Sequence, residues 1–74
     1  MRLIELNEGN RKVLVEGTLD EIVKFLKENE ELYDWTQDED PDVELPNLDE
    51  IETMRELDYE LSKVDLSWWA LELE

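Results

Sequence analysis

Cysteine and histidine are both absent from this chain of 74 residues. Without cysteine there is no disulfide, no thiolate metal site and no thiol nucleophile. Without histidine there is no side chain whose ordinary pKa suits general base work near neutrality. Glycine is scarce, with only Gly9 and Gly17, so no glycine-rich phosphate loop exists. Ser62 and Ser67 have no activating partner in the pattern around them. Paired carboxylates abound, but a dense field of acid in so small a domain is not a selective acid–base site. No enzymatic activity, cofactor or metal is therefore expected. No apolar run approaches the ~20 residues of a membrane span. The opening MRLIELNEGN lacks a basic stretch followed by an apolar one, so no signal peptide is expected and the chain reads as cytoplasmic.

Bases are scarce as well. The chain has 7 Lys and Arg against 23 Asp and Glu, a formal net charge of -16. Five of the bases lie in the first 27 residues, and Arg55 alone stands among the fifteen acids between Glu28 and Ser62. A field of this sign repels nucleic acid, anionic membranes and phosphate-bearing substrates, and it attracts basic surfaces. It also opposes folding by self-repulsion. Apolar residues make up 41% of the chain and are patterned, so a small single domain over residues 1–74 is expected despite the charge.

The pattern begins with two strands, Arg2 to Asn7 and Lys12 to Gly17, joined by the turn residues Glu8-Gly9-Asn10-Arg11 as a β-hairpin. Ile4 and Leu6 are expected to share one face of the first strand, and Val13 and Val15 one face of the second. The period then changes. Thr18 and Glu21 form a capping box, and Leu19, Ile22, Val23 and Leu26 fall on one side of a helix of about three turns, with Phe25 at the edge. Residues Asp34 to Pro46 (DWTQDEDPDVELP) read as an acidic loop. Asn47 with Glu50 reads as the cap of a second helix, whose buried arc is Ile51, Met54, Leu57, Leu61 and Val64. Asp58 falls inside that arc. It sits at the arc's edge, pairs with Arg55 or Lys63, or marks a shorter helix. Leu66 to Leu73 (LSWWALEL) reads as a third strand. The fold class expected is α+β, a three-stranded β-sheet with two helices packed on one face in the order β-β-α-α-β.

Three features are candidate binding elements. The first is Asp49, Glu52, Glu56 and Glu60, expected on one face of the second helix. The last three are spaced four residues apart, about 6 Å along the axis. Like charges at that spacing cost roughly 0.2–0.5 kcal/mol each. Phosphates along a nucleic-acid strand recur on a comparable length scale, and side chains that hold phosphates accept carboxylates through the same charge-assisted bonds. Two readings of the row stand: imitation of a run of phosphates, or a solvated face that serves solubility.

The second feature is the loop cluster Asp38, Glu39, Asp40, Asp42 and Glu44. Its D-x-D-x-D-x-E spacing matches the start of a calcium-binding EF-hand loop. The match then fails, because Val43 stands where glycine is needed, Asp49 where the bidentate Glu is needed, and Pro41 and Pro46 constrain the backbone. The loop reads instead as a flexible anionic arm, either merely solvated or wrapping a basic partner. The third is Trp68, expected on the outer sheet face with Leu66 and Ala70 beside Leu3 and Leu14, while Trp69, Leu71 and Leu73 meet the helices. An exposed Trp suits a protein interface or a homodimer, and a partly covered outer face is the plainer reading. Trp35 either anchors the acidic loop or meets a partner.

In size, charge and lack of cysteine the chain resembles the acidic DNA-mimic inhibitors made by phages, among them anti-CRISPR proteins, anti-restriction proteins and inhibitors of uracil-DNA glycosylase. The resemblance covers no motif and carries over no functional residues. It implies a basic nucleic-acid-binding protein as partner, a CRISPR nuclease or effector subunit being the first to consider, with no direct binding to nucleic acid or membrane. The alternative is an interaction module without mimicry, such as an adaptor, an antitoxin or a homodimeric accessory protein, using the Trp68 face.

Overall fold

A computed structural model describes all 74 residues. The fold is α+β. Strands β1 (Arg2–Asn7), β2 (Asn10–Glu16) and β3 (Trp69–Leu73) form an antiparallel sheet in the order β2-β1-β3. Between β2 and β3 run helices α1 (Leu19–Glu28), α2 (Thr36–Glu39) and α3 (Met54–Leu61), with short 3₁₀ turns at Glu30–Leu32 and Ser62–Val64. The expected order is thus extended by one helix. None of the helices is long and apolar enough to cross a membrane.

The hairpin forms where expected but turns more tightly, on Glu8-Gly9 alone. Both residues have positive φ, 51° and 86°, the requirement of a two-residue turn whose twist matches the strands. Leu3 pairs with Val15 and Ile4 with Val13, so Leu14 is an extra, bulged residue. This corrects the expected facing of β2. The bulge sends Val13 and Val15 to opposite sides of the sheet. Val15 and Leu3 face the helices, and Val13 joins Ile4 and Leu6 on the outer side. Leu3, expected outside, is fully buried, and Leu14 packs at the core's margin.

Helix α1 follows its sequence closely. The Thr18 hydroxyl accepts from the Glu21 N–H at 3.2 Å and the Glu21 carboxylate accepts from the Thr18 N–H at 3.2 Å. Ile22 and Leu26 are fully buried, with Leu19, Val23 and Phe25 packed around them. They meet Leu3, Leu57, Leu61, Val64, Trp69, Leu71 and Leu73 in one core, each fully buried aliphatic side chain contributing roughly 1.5–3 kcal/mol.

The second expected helix is corrected. It starts at Met54, not after Asn47. Thr53 caps it, its hydroxyl accepting from the Glu56 N–H at 3.2 Å. Met54 is accordingly outside the buried arc, 45% exposed. Asp58 is exposed on this shorter helix, the third of its expected explanations. The third strand also starts later, at Trp69, because Leu66 and Trp69 exchange backbone hydrogen bonds (2.8 and 3.4 Å) that close residues 66–69 into a turn.

The segment expected as a flexible loop is folded against the core. Thr36 is fully buried and donates to the Tyr33 carbonyl at 2.6 Å; Val43 is buried, and Gln37 Nε2 donates to its carbonyl at 3.1 Å. Trp35 is an anchor. Its indole N–H donates to the Leu32 carbonyl at 2.8 Å, and its ring lies 4.9 Å from Trp69 and 5.6 Å from Trp68 between centroids.

Candidate anionic interface

The sheet uses its acids. Arg2 reaches Glu16 at 4.0 Å and Glu74 at 3.6 Å; Arg11 reaches Glu72 at 3.5 Å and also pairs with Glu74. These pairs cross the outer face above Ile4, which is only 2% exposed although it lies on the side away from the helices. We attribute that burial to their aliphatic stems, since long charged side chains lay their stems over apolar surface. On the inner face Glu5 accepts the Trp69 indole N–H at 2.9 Å.

The four acids expected as one helical row are not one row. Only Glu56 and Glu60 lie on α3; Asp49 and Glu52 precede it. Each of the helical pair is also engaged. The Glu56 carboxylate accepts from the Glu52 N–H (3.2 Å) and the Thr53 hydroxyl (3.1 Å), completing the helix cap. Glu60 accepts from the Asn47 N–H at 2.7 Å and from Lys63 Nζ at 3.0 Å, and its side chain is only 14% exposed. The Asn47 N–H, followed by Lys63, holds the Glu60 carboxyl below the usual carboxylate range despite its partial burial. Reciprocally, Glu60 raises Lys63. Glu60 is therefore a latch that ties the chain at Asn47 to α3. Asp49 is 86% exposed, with Lys27 3.5 Å away. The signal for the latch lay in Asn47, whose side chain accepts from the Asp49 N–H at 3.1 Å. Asn favours such local turns as much as helix caps.

The loop cluster is more open. Asp38, Glu39, Asp42 and Glu44 are exposed, and none is in an ion pair. Asp40 is half-buried and accepts from the Asp42 N–H at 3.0 Å. The alternating carboxylates do not converge, and no group of three or more acids in the chain is arranged to hold a metal ion.

Five of the seven bases form ion pairs within the chain, and they engage six of the 23 acids: Glu16, Glu28, Asp49, Glu60, Glu72 and Glu74. Seventeen acids are left without an ion pair. Among them are Asp38, Glu39, Asp42 and Glu44 on or beside α2, and Glu50 and Glu52 before α3.

Trp68 lies immediately before β3 and is 41% exposed. It lines an open groove of about 640 Å³ with Leu6, Leu66 and Ala70, and with Glu8, Arg11 and Asp65 among the other lining residues. Sequence reasoning found the tryptophan but not Glu8 and Asp65, which come from a hairpin turn and a helix end far apart in the chain.

Comparison with known proteins adds no relative. No family model, curated protein or solved structure matches this chain.

Proposed function

We propose that this chain is a small acidic inhibitor that binds a basic nucleic-acid-binding protein and blocks its DNA or RNA site by charge mimicry. One observation carries the reading: the acidic segment holds far more acids than bases can pair with, and Asp38, Glu39, Asp42 and Glu44 stay exposed and outside every ion pair, Arg55 included, on backbone held against the core. Carboxylates carried on ordered backbone lose less freedom on binding than those on a mobile arm. Glu52 extends the set and Asp49, paired with Lys27, adjoins it; Glu56 and Glu60 support it from within. Steering by the net charge would make association fast and salt-sensitive. The acidic DNA-mimic inhibitors of phages that the chain resembles, anti-CRISPR proteins among them, act in this way, and a cytoplasmic CRISPR nuclease or its DNA-recognising subunit is the first partner to test, since such proteins hold nucleic acid in long basic channels.

The test is competition. A complex with such a nuclease should dissociate as duplex DNA is added, and the variant Asp38→Asn, Glu39→Gln, Asp42→Asn, Glu44→Gln should lose affinity while keeping its fold. If DNA and this protein bind the nuclease together, mimicry is wrong. The second reading, a non-mimic interaction module, is favoured by the exposure of Trp68 at the rim of an open groove. It predicts that Trp68→Ala abolishes binding and that the four-fold neutralised variant retains it.

A further inference from the structure

We propose that the groove beside Trp68 receives an arginine side chain from the basic partner. The groove is built from segments that fix one another. The Glu8 N–H donates to the Trp68 carbonyl at 2.8 Å, which ties the hairpin turn to the residue before β3. Leu66 and Trp69 close the turn that presents Trp68, and the Trp68 ring leans on Trp35. The apolar lining is Leu6, Leu66, Trp68, Trp69 and Ala70, and the acidic residues Glu8 and Asp65 line the same groove. Neither carboxylate has an ion-pair partner within the chain, and the lining base Arg11 is held by Glu72 and Glu74.

This combination suits a guanidinium. Its flat face stacks on an indole, and its fork of N–H donors pairs with carboxylates in directions a lysine ammonium does not match. A nucleobase would stack on Trp68 too, but its phosphates would meet a net charge of -16. A second copy of this chain would bring the same charge against itself. The inference rests on the proposed function only in taking the partner to be basic. It adds an anchoring point at the sheet edge, joined to the acidic segment through the contact of Trp68 with Trp35.

The experiment is a titration of the ¹⁵N-labelled full chain at low salt with capped Gly-Arg-Gly and capped Gly-Lys-Gly peptides, followed by NMR. Saturable shifts of the Trp68 indole N–H and the Glu8 and Leu66 amides are expected with the arginine peptide. Binding of the lysine peptide there should be several-fold weaker. The double variant Glu8→Gln, Asp65→Asn should weaken the arginine response about tenfold or more. It touches no core residue, so it guards against a Trp68→Ala variant that fails to fold. Shifts confined to the amides of residues 38–44, equal responses to the two peptides, or an unchanged response in the double variant would each overturn the proposal. Failure here leaves the DNA competition result standing, and failure of that competition leaves the groove standing, so the two ideas fall separately.

Discussion

Carboxylates on the sheet and carboxylates in the segment from Glu28 to Ser62 share one chemistry and meet different fates. On the sheet, Glu16, Glu72 and Glu74 are joined to Arg2 and Arg11 in a ladder that roofs Ile4. In the acidic segment bases are nearly absent, so the acids divide again. Glu28, Asp49 and Glu60 find Lys24, Lys27 and Lys63, and a few are bound by backbone N–H groups and hydroxyls, as Glu56 is by Glu52 and Thr53 and Glu60 is by Asn47. The rest face solvent. Where no cation is present, a carboxylate is either a cap for orphan N–H groups or a free negative charge. Only the second kind is available to a partner, so counting acids overstates the binding surface.

The largest expected effect tests the roof. Ile4→Ala should lower stability by about 2–5 kcal/mol in urea unfolding, as for a buried core residue. Val13→Ala on the same face, where Val13 is 49% exposed, should cost well under 1 kcal/mol. Equal losses would mean that the ladder does not bury Ile4.

Next is the latch. Glu60→Ala should lower the melting temperature by about 4–8 °C, the shift of a ~1 kcal/mol change in a domain of this size, whereas Glu52→Ala should leave it nearly unchanged. Folding depresses the Glu60 carboxyl, so its contribution is fully present above the unfolded value near ~4.3 and is lost as pH falls through the lower folded value. The gap between wild type and Glu60→Ala should close in that acid range. A gap independent of pH would remove the latch.

The caps come third. Thr18→Ala and Thr53→Ala should each cost about 1 kcal/mol. If Thr53→Ala is neutral while Asn47→Ala destabilises strongly and α3 is shown to begin near Asn47, the boundary argued from Thr53 is wrong. The smallest effect concerns the free acids. Neutralising Asp38, Glu39, Asp42 and Glu44 together should change stability by little more than surface substitutions do, within about 0.5 kcal/mol per site, and toward stabilisation, because self-repulsion falls. Melting temperatures measured from low to moderate salt should rise for the wild type and rise less for this variant.

Much of the fold was legible from local signals. The Thr18 capping box, the apolar stripe of α1 and the alternation of Trp69, Leu71 and Leu73 each involve residues a few positions apart, and each stands in the structure as read. The bulge at Leu14 was not legible, since nothing in NRKVLVE distinguishes it from a regular strand. The start of α3 was ambiguous for a definite reason. Asn47 with Glu50 and Thr53 with Glu56 are both capping patterns, and local propensity does not choose between them. Glu60 binding the Asn47 N–H and Lys27 meeting Asp49 favour the later start.

The sequence by itself determined the sign and size of the charge, its concentration between Glu28 and Ser62, the lack of thiol and imidazole chemistry, and the helical and strand periods that make a core. Tertiary structure decided which acids are free, which face Leu3 and Val13 occupy, and that Glu8, Asp65 and Trp68 line one groove. The reason is physical. Charge count and periodicity are sums over residues and their near neighbours, while burial, capping and pairing depend on which distant segments the packing brings within bonding distance.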